Sequence, residues 1–143
     1  MISPFVLLVD DEVPFVEAMT KRLTKRELTV LPAHSGREAL ETLAKNAVDV
    51  VILDVKMPGM DGIETLREIK KTHPLVEVVM LTGHATVETA VEGMRLGAFD
   101  YLMKPCGIEE LLAKVGEAKE KKSKHEQKIM DARMKEISLR RGI

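Results

Sequence analysis

The stretch Val48-Asp49-Val50-Val51-Ile52-Leu53-Asp54-Val55-Lys56-Met57-Pro58-Gly59-Met60-Asp61-Gly62 constrains the fold of this chain more than any other. Its first half is a nearly unbroken β-branched and aliphatic run, the pattern of a parallel strand covered on both faces. The run ends on a carboxylate, and a turn-rich segment follows at once. In an open parallel sheet ligands gather at the carboxyl ends of the strands, so Asp54 is expected where chemistry is done. A lone Asp there would only cap a strand or start a turn. A second apolar run, Phe5 to Val9, ends the same way, on Asp10-Asp11-Glu12.

Strands and helices then alternate. Residues 5–9 read as the first strand and about 12–26 as the first helix, with Val13, Val16, Met19 and Leu23 roughly on one face. Pro14 falls in its first turn, where a missing N–H costs little. Leu28 to Ala33 is a second strand, and Pro32 near its end suggests a sheet edge. Ser35-Gly36-Arg37-Glu38 has the form of a capping box opening the second helix, continued by Ala39, Leu40 and Leu43. Residues 48–53 form the third strand. The third helix starts at Asp61-Gly62, buries Ile63, Leu66 and Ile69, and stops before Pro74.

Val76 to Leu81 is the fourth strand. Thr86 caps the fourth helix, which Val87, Ala90, Val91 and Met94 are expected to bury and Gly97 to end. Ala98 to Met103 is the fifth strand, and a fifth helix begins near Ile108 with Leu111, Leu112 and Val115 inward. Five strands alternating with five helices indicate a doubly wound α/β domain on a parallel sheet, and right-handed crossovers allow few arrangements. A chain of 143 residues, 45% hydrophobic, can bury one good core.

Other signals exclude function classes. The net charge of −1 argues neither for nucleic acid nor for membrane as an overall partner. The single cysteine, Cys106, rules out a disulfide within the chain, and no Cys/His cluster offers a metal site. It reads as a partly buried apolar filler. His34, His73 and His125 read as solvated, and the nine methionines mostly as packing residues. No apolar stretch approaches membrane-spanning length, and Met1-Ile2-Ser3-Pro4 leads into a strand without a basic, cleavable leader. A soluble, cytoplasmic protein is expected.

The strands deliver a particular set to one edge: Asp10 and Asp11, Asp54, Thr82, and Lys104. Three carboxylates a few ångströms apart repel by roughly 3 kcal/mol per pair at an effective dielectric near 20, so the cluster needs a cation. All-oxygen ligation suits Mg²⁺ better than zinc. A hydroxyl and an ammonium on neighbouring strands would suit a phosphoryl group, since both donate to its oxygens.

From about Phe5 to Val115 the sequence resembles the receiver domains of two-component response regulators. The resemblance rests on the acidic pair, on Asp54 before Met-Pro-Gly-Met-Asp-Gly, on Thr82-Gly83, and on Phe99-Asp100-Tyr101-Leu102-Met103-Lys104-Pro105. Leu81 to Pro105 is most similar to receivers preceding the output domains of enhancer-binding transcription activators. It implies a flavodoxin-like (βα)5 fold with sheet order 2-1-3-4-5. It also implies that Asp54 takes a phosphoryl group from a phosphohistidine on a sensor histidine kinase or phosphotransfer protein. Asp11, Asp54 and the backbone carbonyl of Lys56 would bind Mg²⁺, with Asp10 assisting through water. Thr82 would bind a phosphoryl oxygen, and Lys104, presented by a cis bond to Pro105, would pair with the phosphate. Gly83 leaves room beside that phosphate. Tyr101 matches the aromatic position that turns inward on activation. Lys56 and His84 would set the phosphoryl lifetime by flanking the path of the attacking water. The chain would then be a phosphoacceptor switch rather than an enzyme, passing its state to a downstream effector through helix four, strand five and helix five, a face also suited to a weak homodimer.

Two other classes compete. An Asp-nucleophile phosphatase of the haloacid dehalogenase type wants a second Asp two residues after the nucleophile, where Lys56 stands. A nucleic-acid-binding regulator would rely on residues 119–143, which hold nine Lys/Arg and four Asp/Glu, a net of +5 against −6 for residues 1–118. No helix-turn-helix follows the receiver, and residues 119–143 are too short for an output domain. They are rich in good helix formers, so 1–118 is expected as the receiver and 119–143 as a basic helical extension, with helix five running to near Leu139. Residues 119–128 should stand in water. Ile129, Met130, Met134 and Ile137 make an irregular apolar patch without sustained heptads, which implies weak self-association.

Overall fold

The computed structural model describes residues 3–57, 59–84 and 86–142. Met1, Ile2 and Pro58, named above, lie outside them. Five strands form one parallel sheet: β1 (Phe5–Val9), β2 (Thr29–Ala33), β3 (Val50–Leu53), β4 (Glu77–Thr82) and β5 (Asp100–Met103). Their order is β2-β1-β3-β4-β5, the flavodoxin-like order, with Pro32 on an edge strand. Five helices connect them: α1 (Val13–Lys25), α2 (Gly36–Lys45), α3 (Gly62–Thr72), α4 (Val87–Arg95) and α5 (Ile108–Arg141).

The central strands are apolar throughout, save Glu77 and Thr82 at the two ends of β4, because both faces are covered. Leu7, Val9, Val51, Leu53, Val78 and Met80 pack with Ala39 and Leu43 of α2 and Leu66 and Ile69 of α3. Val6, Leu8, Val50, Ile52, Val79 and Leu81 pack with Val16, Met19 and Leu23 of α1 and Leu111, Val115 and Ala118 of α5. Truncating a fully buried residue such as Leu66 to Ala would cost about 2–5 kcal/mol.

Register brings Val9, Leu53 and Met80 level across the sheet. The residues that follow β1 and β3, Asp10 and Asp54, therefore share an edge. Local chemistry fixes the loops there. The Asp61 carboxylate caps α3 by accepting the Glu64 N–H at 2.8 Å. Gly62 donates its N–H to the Val55 carbonyl at 2.6 Å. A Cβ on Gly62 would overlap the Asp54 carbonyl oxygen, so only glycine lets α3 start this close to Asp54. Ser35 caps α2 and Thr86 caps α4 through the Glu38 and Thr89 N–H groups. The Lys104–Pro105 peptide bond is cis.

Several expectations are corrected. β3 begins at Val50 rather than residue 48; just before it, Asp49 donates its N–H to the Phe5 carbonyl and accepts the Phe5 N–H on its carboxylate, each at 2.8 Å. Helix α4 turns its apolar residues outward: Val87, Val91 and Met94 are 81, 51 and 47% exposed. Its buried position is Gly93, where the Tyr101 ring lies against the helix.

Met19, Met57 and Met80 are core residues, but Met94, Met103, Met130 and Met134 are exposed, so packing does not account for half of the described methionines. His34 is half-buried, with Nδ1 3.2 Å from the Asp10 carbonyl oxygen that accepts from it. His73 is half-buried and His125 exposed.

Helix α5 does run on, to Arg141, but its residues after Ala118 do not simply stand in water. Lys119 and Lys122 reach the Asp49 carboxylate at 3.1 and 3.3 Å, and Lys121 approaches Glu77 at 3.5 Å. Beyond them Ile129, Met130, Met134 and Ile137 are exposed. Among the described residues no helix is long and apolar enough to cross a membrane.

Candidate functional site

Asp10, Asp54, Thr82 and Lys104 come from the carboxyl ends of four neighbouring strands, and backbone bonds hold each in place. Asp10 donates its N–H to Ala33 and Asp54 to Val9, both at 3.0 Å, and Lys104 donates to the Thr82 carbonyl at 2.9 Å. Asp10 and Asp54 are 1 and 3% exposed. Their Oδ1 atoms accept from the Glu12 and Val55 N–H groups, at 2.9 and 2.8 Å. The second oxygen of Asp10 accepts from Lys104, while that of Asp54 remains for chemistry. Lys104 Nζ lies 2.6 Å from Asp10 Oδ2, 3.2 Å from Glu12 Oε1 and 4.0 Å from Asp54 Oδ2.

Carboxylate oxygens of Asp10, Glu12 and Asp54 all lie within 4.8 Å of one another. Glu12, which was not among the expected metal ligands, completes this trio. Asp11 is exposed and lines the cleft beside it. Glu12 is the N-cap of α1 in extended conformation. The available signal was the run Asp10-Asp11-Glu12 itself, three carboxylates at the end of one strand.

The cleft, about 450 Å³, is lined by Asp11, Glu12, Asp54, Lys56, Met57 and His84. Lys56 and His84 also line an adjoining hollow with Asp61, Thr86 and Thr89. Thr82 is fully buried, and its hydroxyl accepts the His84 N–H at 3.0 Å. Met80 pairs with Tyr101 across the sheet, so Thr82, two residues on, shares a face with Tyr101. Tyr101 is half-buried, and its hydroxyl lies 2.9 Å from Thr89 Oγ1, inside the cap of α4.

The charges do not balance. Burial works to lower the Lys104 pKa, but the hydrogen bond and charge of Asp10, with Asp54 and Glu12, raise it above the ordinary lysine value. An ion pair should push Asp10 the other way. Instead its pKa is also raised, because burial, helped by the Asp54 charge, outweighs Lys104 and the Glu12 N–H. Three carboxylates facing one ammonium leave negative charge uncompensated. An oxygen-only set of this kind fits a hard divalent cation such as Mg²⁺.

The response regulator receiver domain family matches residues 6–116 of the chain. The chain is 41% identical to the transcriptional regulatory protein ZraR of Escherichia coli K12 over 113 residues, 79% of this chain and 26% of that protein. It is 40% identical to the DNA-binding transcriptional regulator NtrC of the same organism, over 79% of this chain and 24% of the relative. The chain thus spans about a quarter of the length of these curated relatives. A response regulator receiver domain protein from Clostridium thermocellum is 37% identical and superposes with a TM-score of 0.80, covering 84% of this chain and 97% of that one. The match embraces all five strands and every residue of the acidic edge, and the chain belongs to the response regulator receiver domain family.

Proposed function

We propose that this receiver accepts a phosphoryl group on Asp54 from the phosphohistidine of a sensor histidine kinase or phosphotransfer protein. The observation that carries the reading is Asp54 itself. Its carboxylate is buried, tied at Oδ1, and lies beside an open cleft with Oδ2 beyond hydrogen-bond reach of Lys104. In the transfer, the P–N bond of the donor breaks as an Asp54 O–P bond forms, and the electron pair returns to the imidazole. In-line transfer of this kind asks the protein mainly for position and charge.

Mg²⁺ would be held by Asp54 with Asp10 and Asp11 and the Lys56 carbonyl, Glu12 adding a carboxylate, and when bound it neutralises phosphoryl oxygens. Lys104 and the Thr82 hydroxyl supply donors to those oxygens. The chain acts as a phosphoacceptor switch, and loss of the group to water is governed by Lys56 and His84 at the mouth of the cleft. Tyr101 links the site to the surface of α4, β5 and α5. There Val87, Val91, Met94 and Met103 are exposed, in keeping with contact to a downstream effector or a second copy. The apolar patch from Ile129 to Ile137 on α5 offers a second, weak self-association surface. The protein works in the cytoplasm, and its output is related to transcription without direct contact to nucleic acid.

Acetyl phosphate with Mg²⁺ should add one phosphoryl group, base-labile and acid-stable, seen by intact mass. Asp54→Asn should show none, and equal labelling of this variant would remove the reading. Bound beryllofluoride should shift NMR signals between about Thr82 and Cys106 as well as in the pocket. Shifts confined to the pocket would count against the switch.

A further inference from the structure

The Lys104 ammonium has a neighbour that none of the acidic residues accounts for. Phe15, in the first turns of α1, is half-buried at the margin of the core formed by α1, α5 and the sheet. Lys104 Nζ stands 4.0 Å from its ring centroid. With Asp10 at 2.6 Å and Glu12 at 3.2 Å, the ring forms a third wall around the ammonium. The Lys104 side chain is only 15% exposed, so this contact operates where water screens little. An aromatic face attracts a cation through its quadrupole, and the attraction grows as the cation is desolvated.

We propose that Phe15 is a positioning residue for Lys104, holding the ammonium where a phosphoryl group on Asp54 would meet it. The proposal rests on the reading of Asp54 as the phosphoacceptor. Asp10 and Glu12 alone would let the flexible lysine follow Glu12 into solvent, since Glu12 is itself largely exposed. The half-buried ring gives the ammonium a fixed face to rest against instead. The remaining 4.0 Å gap to Asp54 Oδ2 is one that the added phosphoryl group spans without a swing of the lysine. A leucine at position 15 would fill similar volume and give none of this attraction. A tyrosine would keep the ring face.

The test is a double-mutant cycle on beryllofluoride affinity, read by ¹⁹F NMR with Mg²⁺ on the full chain. Phe15→Leu should weaken binding by about three- to tenfold, and Phe15→Tyr should stay within about twofold of the parent. In a Lys104→Gln background, Phe15→Leu should have no further effect. The Lys104 ε-methylene protons, shifted upfield by the ring current in the parent and in Phe15→Tyr, should lose that shift in Phe15→Leu. Phe15→Met replaces the leucine variant if the latter does not fold.

Equal affinity of Phe15→Leu and parent would overturn the proposal, as would an undiminished loss in the Lys104→Gln background or a Phe15→Tyr that behaves like leucine. Failure of the parent to bind beryllofluoride would strike the Asp54 reading instead.

Discussion

The two edges of the sheet hold the same kinds of residue and put them to opposite ends. At the carboxyl edge, Asp10, Glu12 and Asp54 share the single ammonium of Lys104 beside an open cleft. At the amino edge, the buried carboxylates of Asp49 and Glu77 face four lysines: Lys70, Lys119, Lys121 and Lys122. Asp49 also accepts the Phe5 N–H. Burial alone would raise the pKa of both Asp10 and Asp49. Asp10 is indeed raised, whereas the Phe5 N–H and then Lys119 and Lys122 hold Asp49 below the ordinary carboxylate value. Lys70 is lowered mainly by burial, which with the Lys121 charge outweighs Glu77. A deficit of cations can be met by a ligand; a surplus closes on itself. Reactivity sits at the edge left short.

Ending the chain at Ala118 should break this contrast most, because it removes three of the four lysines from the amino edge. We expect a loss of about 3–5 kcal/mol in urea unfolding, as for a buried charge stripped of its partner. A truncated chain as stable as the parent would show that the lysines only decorate the surface. Asp49→Asn should cost less, about 2 kcal/mol, since the amide oxygen can still accept the Phe5 N–H. Its stability difference from the parent should be pH-dependent. A carboxylate with a lowered folded pKa contributes fully above the unfolded value near ~3.9 and loses that contribution as pH falls through the folded value.

Asp10→Asn should act in the opposite sense and stabilise slightly at neutral pH, since it removes the repulsion with Asp54 and leaves Glu12 and Asp54 beside Lys104. Asp10 has a raised folded pKa, so its ionised form disfavours folding. The gain should shrink as pH falls through that raised value toward ~3.9. Unfolding curves at several pH values would give two slopes of opposite sign, and parallel slopes would contradict the comparison. The smallest effect belongs to Lys56, an exposed cation at the mouth of the deficient edge. Lys56→Asn should hasten decay of the phosphorylated form, by less than about tenfold, since an exposed charge is worth ~1 kcal/mol or less. Decay no faster than in the parent would make Lys56 a bystander.

The carboxyl edge was legible because each strand is an apolar run that stops on a polar residue, and parallel strands stop at one edge. Caps at Ser35, Asp61 and Thr86 were legible for a similar reason: each is read within four residues. The amino edge was not. Asp49 and Lys119 are 70 positions apart, and only the passage of α5 across the sheet brings them together. Nor does periodicity reveal which side of α4 meets the sheet, because Val87, Val91 and Met94 make an apolar stripe wherever it points. The side that meets the sheet carries Gly93, against the Tyr101 ring, and a glycine gives no hydrophobic signal. The partnership of Phe15 with Lys104 likewise depends on α1 and β5 meeting in space.

Helix α5 has a mechanical consequence. It is one piece of 34 residues, about 50 Å long at ~1.5 Å per residue. Its first turns belong to the face that Tyr101 borders, and Lys119 and Lys122 pin it to Asp49 near its middle. Beyond Lys122 the helix extends for roughly 28 Å more. An element held at a fulcrum transmits: a tilt of about 5° at the pinned point would carry the far end by roughly 2–3 Å. Ile129 to Ile137 ride on that lever arm, so a shift of about 2 Å at the start of α5 becomes a shift of contact of about 1–2 Å, in the opposite sense, outside the domain.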